Sequence, residues 1–402
     1  MIQFRRRMRA RPIDEVGRAS TPLELIFDLT FVVAVSLLVD ASAQELLAGD
    51  GWSILPRFLM TFFAIWWAWD QFSWLASAYD TDDIPYRVLT MVQMAGVLVL
   101  ASGVPAAFER DDWLVVTIGY LIMRVGLVAS ISRAIRDDTE TGRVALRYVI
   151  GISIVQVCWL LRLLLPSGHG LIEGSFVLLA VAELIVPIWA DRAGGINFHP
   201  HHIADRHGSF TMILLGESVL AAATAFRDVL AQTGLDVLLA VAGLAALVIL
   251  FALWWVYFEE PAAERLEARR SRAVYYAYGH YVVFAALAVV GGGLEVVVAD
   301  VAGREPVGGV LAAGALGWPV AVFLIALWAV HAPLAEPRAM DPVPTWTAAA
   351  LIAAVPFAAG SIGTLGCTVA IALLVVALLV AVLLRSRRRE RLGPRPTVRW
   401  EG

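Results

Sequence analysis

The chain has 402 residues, of which 59% are hydrophobic and 16% charged, with a formal net charge of −4. Soluble domains average about 45–50% apolar and about 25% charged residues, so the composition excludes a soluble globular enzyme, a disordered protein and a disulfide scaffold. It predicts an all-α polytopic membrane protein.

A spanning helix needs about 20 mostly apolar residues. Twelve segments qualify: 21–40, 54–75, 86–107, 113–133, 144–165, 171–190, 207–226, 235–258, 273–297, 307–331, 343–361 and 363–384. Only a short turn near Gly360 and Gly366 separates the last two. The first could be misread as a cleaved leader, but Glu24 and Asp28 interrupt its apolar run. All 31 basic residues are arginine. With the N-terminus in the cytoplasm, the clusters Arg5–Arg18, Arg133–Arg147, Arg265–Arg272 and Arg385–Arg399 all fall inside. Only Arg110, Arg227 and Arg304 fall outside, with Arg57 and Arg162 near that boundary. This satisfies the positive-inside bias of an inner-membrane protein.

The expected organisation is a basic cytoplasmic N-terminus over 1–20 and a six-helix half over 21–191. A cytoplasmic linker over 192–206, a second six-helix half over 207–384 and a basic, disordered cytoplasmic tail over 385–402 follow. The halves show matched spacing. Asp28 precedes Trp66-Trp67 by 38 residues, and Glu217 precedes Trp254-Trp255 by 37. Six spans per half give both the same orientation, so the reading is a parallel repeat. Interfacial tryptophan anchors at helix ends account for the same pattern without duplication.

A charge at the bilayer centre costs about 2.5–3.5 kcal/mol on insertion scales. Glu24, Asp28, Asp70, Arg124, Glu183, Glu217 and His280 therefore stand out. Glu24 and Asp28 share one helix face, and Arg124 is the expected partner of Asp28 or Glu217. Span seven places His207, Thr211 and Ser218 along one stripe with Glu217 beside it. On the repeat, Glu217 is the counterpart of Asp28, two acids at equivalent depth across a central cavity. His199, His201, His202 and His207 lie close together, but His-Pro-His-His reads as an exposed polar loop rather than a metal site. No metal or other cofactor is expected. Cys158 and Cys367 read as packing residues. No P-loop or nucleophile elbow is present. The run Gly291-Gly292-Gly293 permits close helix packing or a break in its span.

Thr21–Phe31, reading TPLELIFDLTF, resembles the TPLELFFDLVF signature of the bacterial low temperature requirement protein A family. His202–Gly208, reading HIADRHG, and Leu215-Gly216-Glu217-Ser218 are similar to its HFxERHG and LGES signatures, with Asp205 in place of the usual Glu. The resemblance implies a multi-pass inner-membrane protein and marks Glu24, Asp28, Arg206, His207, Gly216, Glu217 and Ser218 as signature positions. The family name comes from a growth phenotype and implies no activity.

The leading expectation is a secondary transporter or permease for a small solute or ion, with the proton as a candidate coupling ion. Asp28 and Glu217 would titrate or bind the ion, Arg206 and His207 would sit at the cytoplasmic mouth, and Arg124 would be the counter-charge. Two alternatives stay open: an intramembrane enzyme acting on lipid or isoprenoid through the same acids with His207 and His280, and a non-catalytic sensor or scaffold for cold or envelope stress. Its partners are membrane lipids and that solute or ion; nothing points to nucleic acid.

Overall fold

A computed structural model describes residues 4–11, 20–49, 51–138, 141–166, 170–194, 198–234, 236–303, 307–334 and 340–392. Among these residues the chain forms helices and no strand. The helices are α1 (Pro22–Leu47), α2 (Leu55–Ala78), α3 (Ile84–Arg110), α4 (Leu114–Asp137), α5 (Gly142–Arg162), α6 (Leu171–Asp191) and α7 (Pro200–Thr233). They continue with α8 (Val237–Phe258), the short α9 (Ala262–Ala268), α10 (Ala273–Val301), α11 (Gly309–His331), α12 (Pro342–Ala354) and α13 (Ala359–Leu392). Ten stretches are long and apolar enough to cross a membrane, with Pro342–Arg387 counted as one. The chain is a multi-pass membrane protein. Helix starts follow local chemistry. Thr21 caps α1 by accepting the Glu24 amide at 3.3 Å, and Pro22, already fixed near helical φ, follows it.

The chain divides into two compact units. The first is Met1–Glu217 with Leu266–Ala273. Its centre is α2, in which every residue from Met60 to Ser73 is buried. Surrounded by protein, α2 has no need of a lipid-compatible surface, which is how it carries Trp66, Trp67, Trp69, Asp70 and Gln71. Helix α1 turns its polar side inward. Glu24, Phe27, Asp28 and Phe31 are buried, whereas Leu25, Ile26, Leu29 and Val33 are exposed, as suits a helix with lipid on its outer face. Helices α3 and α4 approach through glycines. A Cβ on Gly96 would lie 2.6 Å from Met123 Cγ, and one on Gly119 would strike the Leu100 backbone.

Residues 4–11 lie across the ends of this unit. The Arg6 amide donates to Asp83 at 2.8 Å, that of Met8 to Asp137 at 3.1 Å and that of Ala10 to Asp138 at 2.8 Å. Arg133 grips the same Asp83 at 2.5 Å, and Met8 is fully buried. The expected basic N-terminal segment is thus pinned by acids from two helix ends, the start of α3 and the end of α4.

The second unit is Ser218–Arg265 with Val274–Gly402. Helix α10 runs unbroken through Gly291–Gly293, so the glycine run serves packing: a Cβ on Gly293 would strike the Ala315 carbonyl of α11. A 3-10 turn at Val355–Ala358 lies between α12 and α13, and Gly363, at φ 70°, kinks α13 near its start. Helix α13 continues to Leu392, so the first part of the expected disordered tail is helical; residues 393–402 lie outside the described residues.

Candidate functional site

Three helices of the first unit meet in a defined register. Positions 24, 28, 31 and 36 of α1 lie against 202, 206, 210 and 217 of α7, so these two helices run parallel. Positions 69, 70, 73 and 77 of α2 meet 210, 207, 206 and 199 of α7, so α2 runs antiparallel to both. The α2 residues recur at three- and four-residue spacing and form one stripe.

Charged and polar side chains meet along this seam among buried aromatic rings. Arg206 Nη2 donates to Asp28 Oδ1 at 2.6 Å, its Nε reaches Ser73 Oγ at 3.3 Å, and its Nη1 is 3.8 Å from Glu24 Oε2. Trp69 Nε1 donates to the same Asp28 oxygen at 2.8 Å. The guanidinium also lies over the Trp69 and Phe72 rings at 5.9 and 5.8 Å. His202 Nε2 is 2.7 Å from Glu24 Oε2. His207 directs Nδ1 to the Ile203 carbonyl at 2.8 Å, which leaves Nε2 facing Asp70 Oδ1 at 3.9 Å. All of these side chains are at most 2% exposed.

A second cluster collects around Glu183 of α6. Its carboxylate accepts from Gln156 Nε2 at 2.8 Å, Tyr120 OH at 2.9 Å, Trp67 Nε1 at 3.0 Å and Trp159 Nε1 at 3.3 Å. Arg124 Nη2 bonds the Tyr120 hydroxyl and lies 3.7 Å from Glu183. Four donors and a guanidinium thus surround this buried carboxyl. Both it and Arg124 sit near the middle of their helices.

Several expectations are corrected by this geometry. Arg124 pairs with Glu183, not with Asp28 or Glu217, because α6 rather than α1 brings an acid to its depth. Asp28 instead takes Arg206. Glu217 does not share the depth of Asp28. It lies beside Ser36 and near Asp40 of α1, eleven residues along α7 from Arg206, or about 16 Å at helical rise. The stretch from His199 is no exposed loop: Pro200 begins α7, and His199 and His202 are 3% and 0% exposed, although His201 is exposed. Thr211 is buried and returns its hydroxyl to the His207 carbonyl at 2.9 Å. The matched tryptophan pairs differ in setting, since Trp66 and Trp67 are buried while Trp254 and Trp255 are 45% and 46% exposed.

In the second unit, Ser218 is buried and packs against Gly291. His280 directs Nδ1 to the Tyr276 carbonyl at 2.7 Å, and Tyr257 OH meets its Nε2 at 3.1 Å. His331 completes this buried group, with ring centroids 5.8 Å from Tyr276 and 6.5 Å from His280. Among the described residues no group of three or more His, Cys, Asp or Glu is placed to hold a metal.

Sequence reading missed Ser73, Tyr120, Gln156, Trp159 and His331. The spacing of Asp70, Ser73 and Ser77 on an otherwise aromatic helix was the available signal for the α2 stripe.

Comparison with known proteins accords with this architecture. The profile of the bacterial low temperature requirement A protein (LtrA) family matches residues 19–383, and the chain belongs to that family. An uncharacterized protein of Rhizobium meliloti (strain 1021) is 27% identical over 296 residues, covering 68% of this chain and 67% of its own length. No solved structure matches.

Proposed function

We propose that this member of the bacterial low temperature requirement A family is a proton-coupled secondary transporter of a small solute or ion. The observation that carries the proposal is a charge imbalance. Within the two clusters described above, the buried acids Glu24, Asp28, Asp70 and Glu183 meet two guanidiniums, Arg124 and Arg206, and two imidazoles, His202 and His207. Four carboxylates against two fixed cations leave an excess of two negative charges. Unbalanced charge inside a membrane is too costly to persist. Two protons shared within the pairs Glu24–His202 and Asp70–His207 would balance these clusters. On this reading these pairs exchange the coupling protons, and the pairs Arg206–Asp28 and Arg124–Glu183 hold the helices together. Glu217 and Asp40 extend the row of acids along α1 toward its other end.

The same register supports twelve spans in an inner membrane with both termini cytoplasmic. Parallel α1 and α7 require an odd number of crossings between them, which α2 to α6 supply only if α2 also spans. On this reading the 3-10 turn and the Gly363 kink mark where Pro342–Arg387 turns from one crossing to the next. Six helices per half then give a parallel repeat.

The test is flux in liposomes holding the purified chain and a pH-sensitive dye. Solute-linked proton movement is expected, and Asp70→Asn or His207→Gln should uncouple it in variants that still elute as the folded protein. If no proton or solute moves under any gradient, the reading is wrong. A lipid precursor accumulating in a deletion strain would instead favour an intramembrane enzyme.

A further inference from the structure

We infer that Arg124 and Asp70 form the two poles of a binding site for a small zwitterion, its carboxylate on Arg124 and its ammonium on Asp70. The inference rests on the transporter reading for the ligand's fate, though not for its binding.

Arg124 is 1% exposed and spends only Nη2 on Tyr120 and Glu183; its Nε and Nη1 donate to nothing. Asp70 is 0% exposed, and neither of its oxygens accepts a hydrogen bond of ordinary geometry. Trp74, one turn on, is the indole that approaches it, and His207 Nε2 stands off at 3.9 Å. Gln156 gives its amide to Glu183 and leaves Oε1 unpartnered in the same cluster. Buried polar atoms are almost always satisfied, and each one left bare costs about 1–3 kcal/mol.

The arrangement of these atoms selects a ligand. Arg124 and Asp70 act on each other electrostatically, yet they form no ion pair. The two groups are held apart, one with spare donors and one with spare acceptors. A lone anion would satisfy only Arg124, and a lone cation only Asp70. A molecule bearing both charges satisfies both ends and adds no net charge to the membrane interior.

The test is thermal unfolding of the purified full chain in detergent with free glycine, β-alanine, γ-aminobutyrate, acetate or methylammonium. At least one of the three zwitterions should raise Tm in a concentration-dependent way, and the singly charged compounds should not. Asp70→Asn, which preserves shape, should erase the shift, as should Arg124→Gln. If Arg124→Gln does not fold, Asp70→Asn together with Gln156→Leu, expected to weaken the shift, decides. No shift with any zwitterion overturns the inference, as does a shift that survives Asp70→Asn or an equal shift with acetate. No gradient is needed here. Binding without flux would sink the transporter reading alone, and proton flux without zwitterion binding would sink this site alone.

Discussion

Arg206 of α7 and Asp28 of α1 form a 2.6 Å ion pair between residues 178 positions apart in the chain. Ser73 and Trp69 of α2 bind the two ends of that pair, so one contact ties three helices. Removing one partner of such a buried pair leaves an uncompensated charge and costs about 3–5 kcal/mol, whereas removing both costs less. Asp28→Asn and Arg206→Gln should therefore each lower the unfolding midpoint strongly, and the double variant should recover part of the loss. A double-mutant cycle of denaturant unfolding in micelles measures this, and strict additivity would contradict it.

Asp83 offers a pH signature outside the spans. Burial works against its charged form, but hydrogen bonds from Arg133 and from the Arg6 and Tyr86 amides outweigh it, and the pKa falls below its ordinary 3.8. A folded-state pKa below the unfolded one gives stability that is complete above the unfolded value and lost as pH falls through the folded one. The stability gap between the native chain and Asp83→Asn should be full at neutral pH and close below about pH 4. A gap that stays constant from pH 7 to pH 3 would refute this.

The glycine contact between α3 and α4 should tolerate nothing larger. Gly119→Val would drive its side chain into the Leu100 backbone. Overpacking of this kind costs about 1–3 kcal/mol, and backbone contact puts this case at the upper end. Gly360→Val, where no atom stands within 4 Å of the added Cβ, is the control for close packing. Comparable Tm losses in the two variants would count against the interpretation.

The crossing of α2 can be examined by labelling. In a background with Cys158 and Cys367 replaced, Ser53→Cys and Asp82→Cys place thiols at exposed positions beyond the two ends of α2. A membrane-impermeant maleimide should reach Ser53→Cys from outside the cell and Asp82→Cys only after permeabilisation. Labelling of both from one side would mean that α2 does not span.

The residues of the site were far more legible than their partners. Glu24, Asp28, Arg124, Arg206 and His207 stand out because charge inside an apolar run is expensive. Pairing depends on which helices are neighbours and at what depth, and no local pattern encodes that. Arg124 finds Glu183 across 59 residues, in a cluster finished by Tyr120, Trp67, Gln156 and Trp159, whose indoles and amide look like ordinary helix filling in sequence. His202 was read as exposed because Pro200 resembles a turn; Pro at the first position of a helix is equally at home. Helix α2 was recognised by length but not as a centre, since its tryptophans resemble interfacial anchors until they are seen buried.

The strap over residues 4–11 carries an evolutionary consequence. Three of its bonds to Asp83, Asp137 and Asp138 come from the amides of residues 6, 8 and 10, while the side chains of Arg5 and Arg11 pair with Asp137 and Asp80. Any residue except proline brings an amide to those positions. Substitution at residues 6 and 10 should leave those amide bonds in place, while gain or loss of a single residue would shift every amide out of phase with its acid. The length of this stretch is thus under tighter selection than its spelling.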